Sequence, residues 1–216
     1  MKKILSFLMI LTLILSLAAG SALAADATED AVVGVKTENT YANEFLGIMA
    51  DFPDGWYVMN DEETIEAMGY VVDNLDNKEL ADQLANNGVV CDLYALTLDN
   101  SGDNINIQLE NLGFLYGMVM SEDAYYDAAV PQLETALGQM GLQSIRIEKE
   151  TVDFAGSEHV GISISGSIQG TAIYERMVLV KAGSYMATVT AFSFDNARAM
   201  DMLALFEAYD AEKLAA

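Results

Sequence analysis

The chain has 216 residues, with 33 acidic side chains against 10 basic ones, one His and one Cys. A formal net charge of −23 sets aside nucleic-acid binding, which needs clustered Lys and Arg. The lone Cys excludes an internal disulfide and a CxxC redox pair, and the lone His excludes a two-histidine site.

Residues 1–24 read as a secretory signal peptide. Lys2 and Lys3 form a basic start, residues 4–17 are almost wholly apolar, and Ala22-Leu23-Ala24 offers the small residues of a cleavage site. The apolar run is short for a span of about 20 residues. The only Cys, Cys91, is too far downstream to carry a lipid anchor at the cleavage site. Cleavage removes two lysines and no acid, so the mature charge falls two units below −23. The expected location is secreted, without stable membrane insertion after cleavage.

Residues 25–39 are acidic and aperiodic and are expected to form a flexible leader. One domain is expected over 40–210, long enough to bury a core without staples, with 211–216 as a C-terminal tail. The first strand is placed at 45–52, with Leu46, Ile48, Ala50 and Phe52 on one face. Pro53-Asp54-Gly55 is a turn signal, and Trp56-Tyr57-Val58 resumes an extended segment. Asn60 with Glu63 forms a capping-box-like helix start. A second helix is expected over about 77–86, stopped by Gly88. Strands follow at 89–97 and 105–112, joined by a polar loop.

Ser121 then caps a long helix, with Tyr126, Ala129, Val130, Leu133, Ala136, Leu137 and Met140 as its apolar stripe. Pro131 falls inside it and predicts a kink or restart. Strands at 144–154, 159–168, 173–181 and 185–192 are separated by short Gly-bearing joints, which predict an antiparallel meander. A last helix is placed over about 196–209. The pattern predicts an α+β fold: a largely antiparallel sheet of six or seven strands with helices packed on it.

Tyr41-Ala42-Asn43-Glu44-Phe45-Leu46-Gly47-Ile48, followed by Phe52-Pro53-Asp54-Gly55-Trp56, resembles the start of PsbP-like domains. That family includes bacterial envelope proteins of the LpqN and DcrB kind. The chain looks most similar to uncharacterised secreted proteins of anaerobic Gram-positive bacteria. The resemblance implies an α/β/α sandwich and binding or assembly roles, and it brings no catalytic residue and no cofactor. Read physically, Gly55 permits the turn that Pro53 starts, and Trp56 packs across the sheet edge.

No catalytic constellation emerges from the residues themselves. Asp99, Ser101, Asp103 and Glu110 have an EF-hand-like spacing, but Asn104 stands where the loop needs Gly. The simpler expectation is a solvated hairpin loop. Ser163 and Ser165 share a strand face with His159, but four strand residues span about 13 Å, too far for a Ser-His hydrogen bond. His159 is expected at a turn edge and Cys91 in the core. With 33 acids any carboxylate pair is uninformative, so a carboxylate-only hydrolase stands last. The apolar run 114–120 is expected as core between sheet and helix. A second reading makes it, with Trp56, Phe114, Tyr116 and Met118, an apolar groove for a small ligand. The leading expectation is a secreted, non-enzymatic binding or interaction module. Its partner would be a cationic protein or a small apolar ligand.

Overall fold

The computed structural model describes residues 32–67 and 88–214. The signal peptide and the helix expected at 77–86 lie outside the described residues. In chain order the elements are β1 (Val35–Lys36), β2 (Thr40–Asn43), β3 (Ile48–Asp51), β4 (Trp56–Val58), α1 (Asp61–Ala67), β5 (Val89–Thr97), β6 (Asn104–Asn111), α2 (Gly113–Val119), α3 (Glu122–Gln139), β7 (Gln143–Phe154), β8 (Ser157–Ile168), β9 (Thr171–Ala182), β10 (Tyr185–Ser193), α4 (Asn196–Leu203), β11 (Phe206–Ala208) and α5 (Ala211–Leu214).

Strands β4-β5-β6-β10-β9-β8-β7 form one sheet, antiparallel throughout, and β1-β2-β3-β11 form a second, smaller one. The meander β7 to β10 follows from its turns. Ala155-Gly156 and Gln169-Gly170 are two-residue loops with positive φ at both positions, the geometry whose twist matches paired strands. The α+β class and the seven-stranded antiparallel sheet agree with the sequence pattern.

The two faces of the large sheet bury different layers. On one face Ile162, Ile164, Ile173, Met177, Leu179 and Met186 pack against Tyr125, Ala129, Leu133 and Leu137 of α3. Those four recur every fourth residue and make one helical stripe. The expected stripe named Tyr126, whereas Tyr125 is the buried ring. Ser121 Oγ accepts from the Ala124 N–H at 3.1 Å and caps α3, and Pro131 sits exposed within one continuous helix, without a restart. On the opposite face Leu93, Ile105, Ile107, Val178, Val189 and Ala191 meet the small sheet, α4 and Phe206. One covering layer is therefore partly a sheet, which departs from an α/β/α sandwich.

Asp92 fastens the sheets together. It falls at a bulge in β5, between Cys91 and Leu93, where one residue is left out of the ladder and its side chain is re-aimed. Its carboxylate accepts from the Gly34 N–H, the Tyr41 hydroxyl at 2.6 Å and Asn43 Nδ2 at 3.0 Å. Burial, then the neighbouring Asp92, hold the Tyr41 hydroxyl well above its ordinary pKa, so it remains a donor.

Three boundary expectations are corrected. The described part of the leader is structured: Val32 and Val33 are buried and β1 pairs with β2, because Asp92 and Tyr41 bind this segment. The strand expected over 45–52 shortens to β3, because Phe45 to Gly47 belong to the turn that joins it to β2, where Gly47 has φ +71°. The last helix ends at Leu203, and Phe206 joins the small sheet as part of β11, where its ring meets Phe52, Tyr41 and Phe154. Residues 211–214 of the expected tail form α5.

Candidate functional site

The capping box at α1 is formed: Asn60 Oδ1 accepts from the Glu63 N–H and Glu63 Oε2 from the Asn60 N–H. Gly55 has φ +93°, and Trp56 packs at a tilt against Phe52 with ring centroids 5.4 Å apart. Trp56 thus belongs to the packing between sheets. It lies beside Thr97 at one end of the large sheet, while α2 leaves the other end of β6. Trp56 therefore does not meet Phe114, Tyr116 and Met118 in one groove.

The segment expected as core is an exposed helix. In α2, Phe114, Leu115, Tyr116, Met118 and Val119 are 57–77% exposed. At 100° per residue these five side chains cover roughly 200° of the helix circumference. The remaining side holds Gly113 and Gly117. Only Gly117 is buried, and a Cβ there would lie 2.7 Å from Ser184 Cα. Lys181 Nζ donates to the Gly117 and Gly183 carbonyls and ties α2 to the β9–β10 turn. A seven-residue helix with two glycines is weak on its own, so α2 depends on this seat.

The one His joins α3 to the sheet. His159 Nδ1 lies 2.8 Å from Glu122 Oε1, and the same carboxylate accepts from the Val160 and Lys181 N–H groups. The hydrogen bond to Glu122 raises the His159 pKa against the opposing effect of burial. Burial pulls Glu122 upward, but the bonds from His159, Val160 and Lys181 outweigh it and hold the carboxyl below its ordinary value. Glu122, His159 and Val160 line a cleft of about 510 Å³ with Asp123, Lys149, Glu150, Thr151 and Glu158. Asp123 pairs with Lys149, and Glu150 with Arg176 at 3.1 Å. His159 thus stands near the Ala155-Gly156 turn, as expected, and is in addition partly buried and paired. Among the described residues its ring nitrogen pairs with Glu122 and with no Ser, Thr or Cys side chain.

The acidic loop before β6 is also occupied. Arg198 of α4 pairs with Asp99 at 3.3 Å and with Asp103, and Ser193 Oγ donates to Asp103 Oδ1 at 2.7 Å. Glu110 lies at the far end of β6, 2.6 Å from the Tyr125 hydroxyl. The EF-hand-like spacing is therefore split along a strand. Among the described residues no three His, Cys, Asp or Glu side chains converge as a metal site. Burial pushes the Cys91 thiol up to about 12, so it stays a protonated core group.

The sequence gives no warning of a buried polar face. On β6 the side chains of Asn104, Asn106, Gln108 and Glu110 alternate with Ile105, Ile107 and Leu109, and every one of them is buried. Such alternation ordinarily marks one dry and one wet face. Strand register sets Tyr94, Asn106, Thr190 and Met177 in one transverse row, and Leu96, Asn104, Phe192 and Glu175 in the next. Glu175 is fully buried, and burial raises its pKa from 4.5 to about 8.

No family model matches the chain, and no curated protein does. Among solved structures it is similar to LpqN of Mycobacterium tuberculosis, described as involved in cell envelope biogenesis, with 10% identity and a TM-score of 0.40 over 76% of this chain and 83% of that one. A Bacteroides thetaiotaomicron protein gives 10% identity and a TM-score of 0.43 over 82% of this chain. The match takes in 50% of that longer protein. Both likenesses are too distant to carry an argument about function. No helix among the described residues is long and apolar enough to cross a membrane.

Proposed function

We propose that the protein is a secreted, non-enzymatic interaction module of PsbP-like type that inserts α2 into an apolar groove of a partner protein. The observation that carries this reading is the five large apolar side chains of α2, each more than half exposed. Exposed apolar groups concentrated in this way mark interaction sites. A flat surface cannot cover an arc of roughly 200°, whereas a groove encloses it. The helix is about 10 Å long, too short to hold a soluble body on a bilayer. The acidic body would also be repelled by anionic lipid, and it favours a groove with a basic rim. Secretion rests on the signal-like residues 1–24, and the PsbP-like assignment on the turn at Pro53 to Trp56.

The test is site-specific photo-crosslinking in the producing cells, with the crosslinker at Leu115 or, as a control, at exposed Asp201 of α4. A discrete protein adduct from position 115 and none from 201 is expected. Lipid adducts, or identical products from both positions, would overturn the reading. A small apolar ligand carried beside α2 is the second reading, and the exposure of Phe114, Tyr116 and Met118 leaves it without an enclosing wall.

A further inference from the structure

Five buried side-chain atoms on one sheet face have no hydrogen-bond partner among the described residues. They are Asn104 Oδ1, both polar atoms of the Asn106 amide and both carboxyl oxygens of Glu175. The three residues are 3%, 1% and 0% exposed. A buried polar atom without a partner is costly, and native interiors seldom tolerate several together. Their placement is not scattered. Phe192 lies directly opposite both Asn104 and Glu175, one strand away on each side, and Thr190 and Tyr94 flank Asn106 in the adjoining row. Side chains directly opposite one another share a face, and neighbouring strands are about 4.8 Å apart. One patch four strands wide therefore combines a carboxyl group, two amide oxygens, a threonine hydroxyl and two aromatic rings.

We infer that this face is a binding site for a small organic cation bearing a primary ammonium group. With Glu175 ionised, the unpartnered set holds four acceptor oxygens and one donor nitrogen, so it fits a guest rich in N–H donors. The carboxylate supplies the countercharge that burial otherwise denies it. Phe192 and Tyr94 add ring faces that attract an ammonium but offer little to a metal ion, which prefers oxygen. Arg176, the next residue along β9, points to the opposite face and pairs with Glu150, so it does not compete for Glu175. This inference is independent of α2 and stands or falls separately.

The test is a melting-temperature titration of the mature protein with methylammonium chloride at pH 8, against potassium chloride at equal ionic strength. A saturable rise with methylammonium alone is expected. Binding ionises Glu175, so the apparent affinity should increase from pH 6 and level off above about 8. Glu175→Gln preserves the shape and should abolish the rise. Asn106→Leu, of similar volume, should weaken it at least tenfold. No saturable rise, an equal rise with potassium, or a rise retained in a folded Glu175→Gln protein would each overturn the inference.

Discussion

Glu175 holds a proton that the unfolded chain would release at neutral pH. Its folded pKa of about 8 lies above its ordinary 4.5, so the native state binds more protons than the unfolded state between those values. Stability associated with this group is complete below pH 4.5 and is lost as pH rises through about 8. The loss approaches roughly 5 kcal/mol. Glu175→Gln should flatten this decline in urea melts recorded from pH 5 to 9 without ligand; an unchanged slope would contradict it. The His159–Glu122 pair works over another window. The raised His159 contributes fully below about 6.5 and fades as pH climbs through its folded value. The lowered Glu122 contributes above 4.5 and fades as pH falls through its folded value. The pair is therefore complete between about pH 4.5 and 6.5. There His159→Gln should cost about 1 kcal/mol in chemical denaturation, and less at pH 9.

Two elements carry most of what distinguishes this molecule. The β5 bulge turns Asp92 toward Gly34, Tyr41 and Asn43. Asp92→Ala would strand all three donors, so a loss of about 3 kcal/mol or more is expected from denaturant unfolding. A loss below about 0.5 kcal/mol would refute the latch. Helix α2 rests on Gly117 against Ser184, and a methyl group there collides with backbone. Gly117→Ala should raise amide exchange across α2 while leaving α3 protected; unchanged exchange in α2 would show that the seat is not tight. Both devices mark the limit of sequence reading. Ser121, Asn60 and the Ala155-Gly156 and Gln169-Gly170 joints act through neighbours in the chain, so the helix starts and the meander were legible. The Asp92 latch and the Glu122–His159 contact depend on partners brought together by the fold, and Glu175 on the layers that bury it, and no local pattern announces them. The apolar run 114–120 reads as core in the sequence and is exposed in the fold, because hydrophobicity does not report which side of a helix has something to pack against. The polar residues of β6 were opaque for the converse reason, since alternation does not reveal that both faces are covered.

At the scale of the whole molecule, two sheets and one long helix give a strongly acidic body that displays an exposed apolar helix, α2. The sequence from Leu112 to Met120 contains no ionisable group except Tyr116, in a chain with 33 acids. Charge keeps such bodies apart and speeds encounter with a basic surface, while the apolar helix supplies contact that persists after encounter. Association should therefore slow with added salt, chiefly through the on-rate, with dissociation little affected. The most direct measurement of the central claim is the affinity of the wild-type mature protein and of Leu115→Asp for the purified partner captured at position 115. The account predicts at least a tenfold weaker Kd for Leu115→Asp with an unchanged melting temperature. Equal affinities for the two proteins would contradict it.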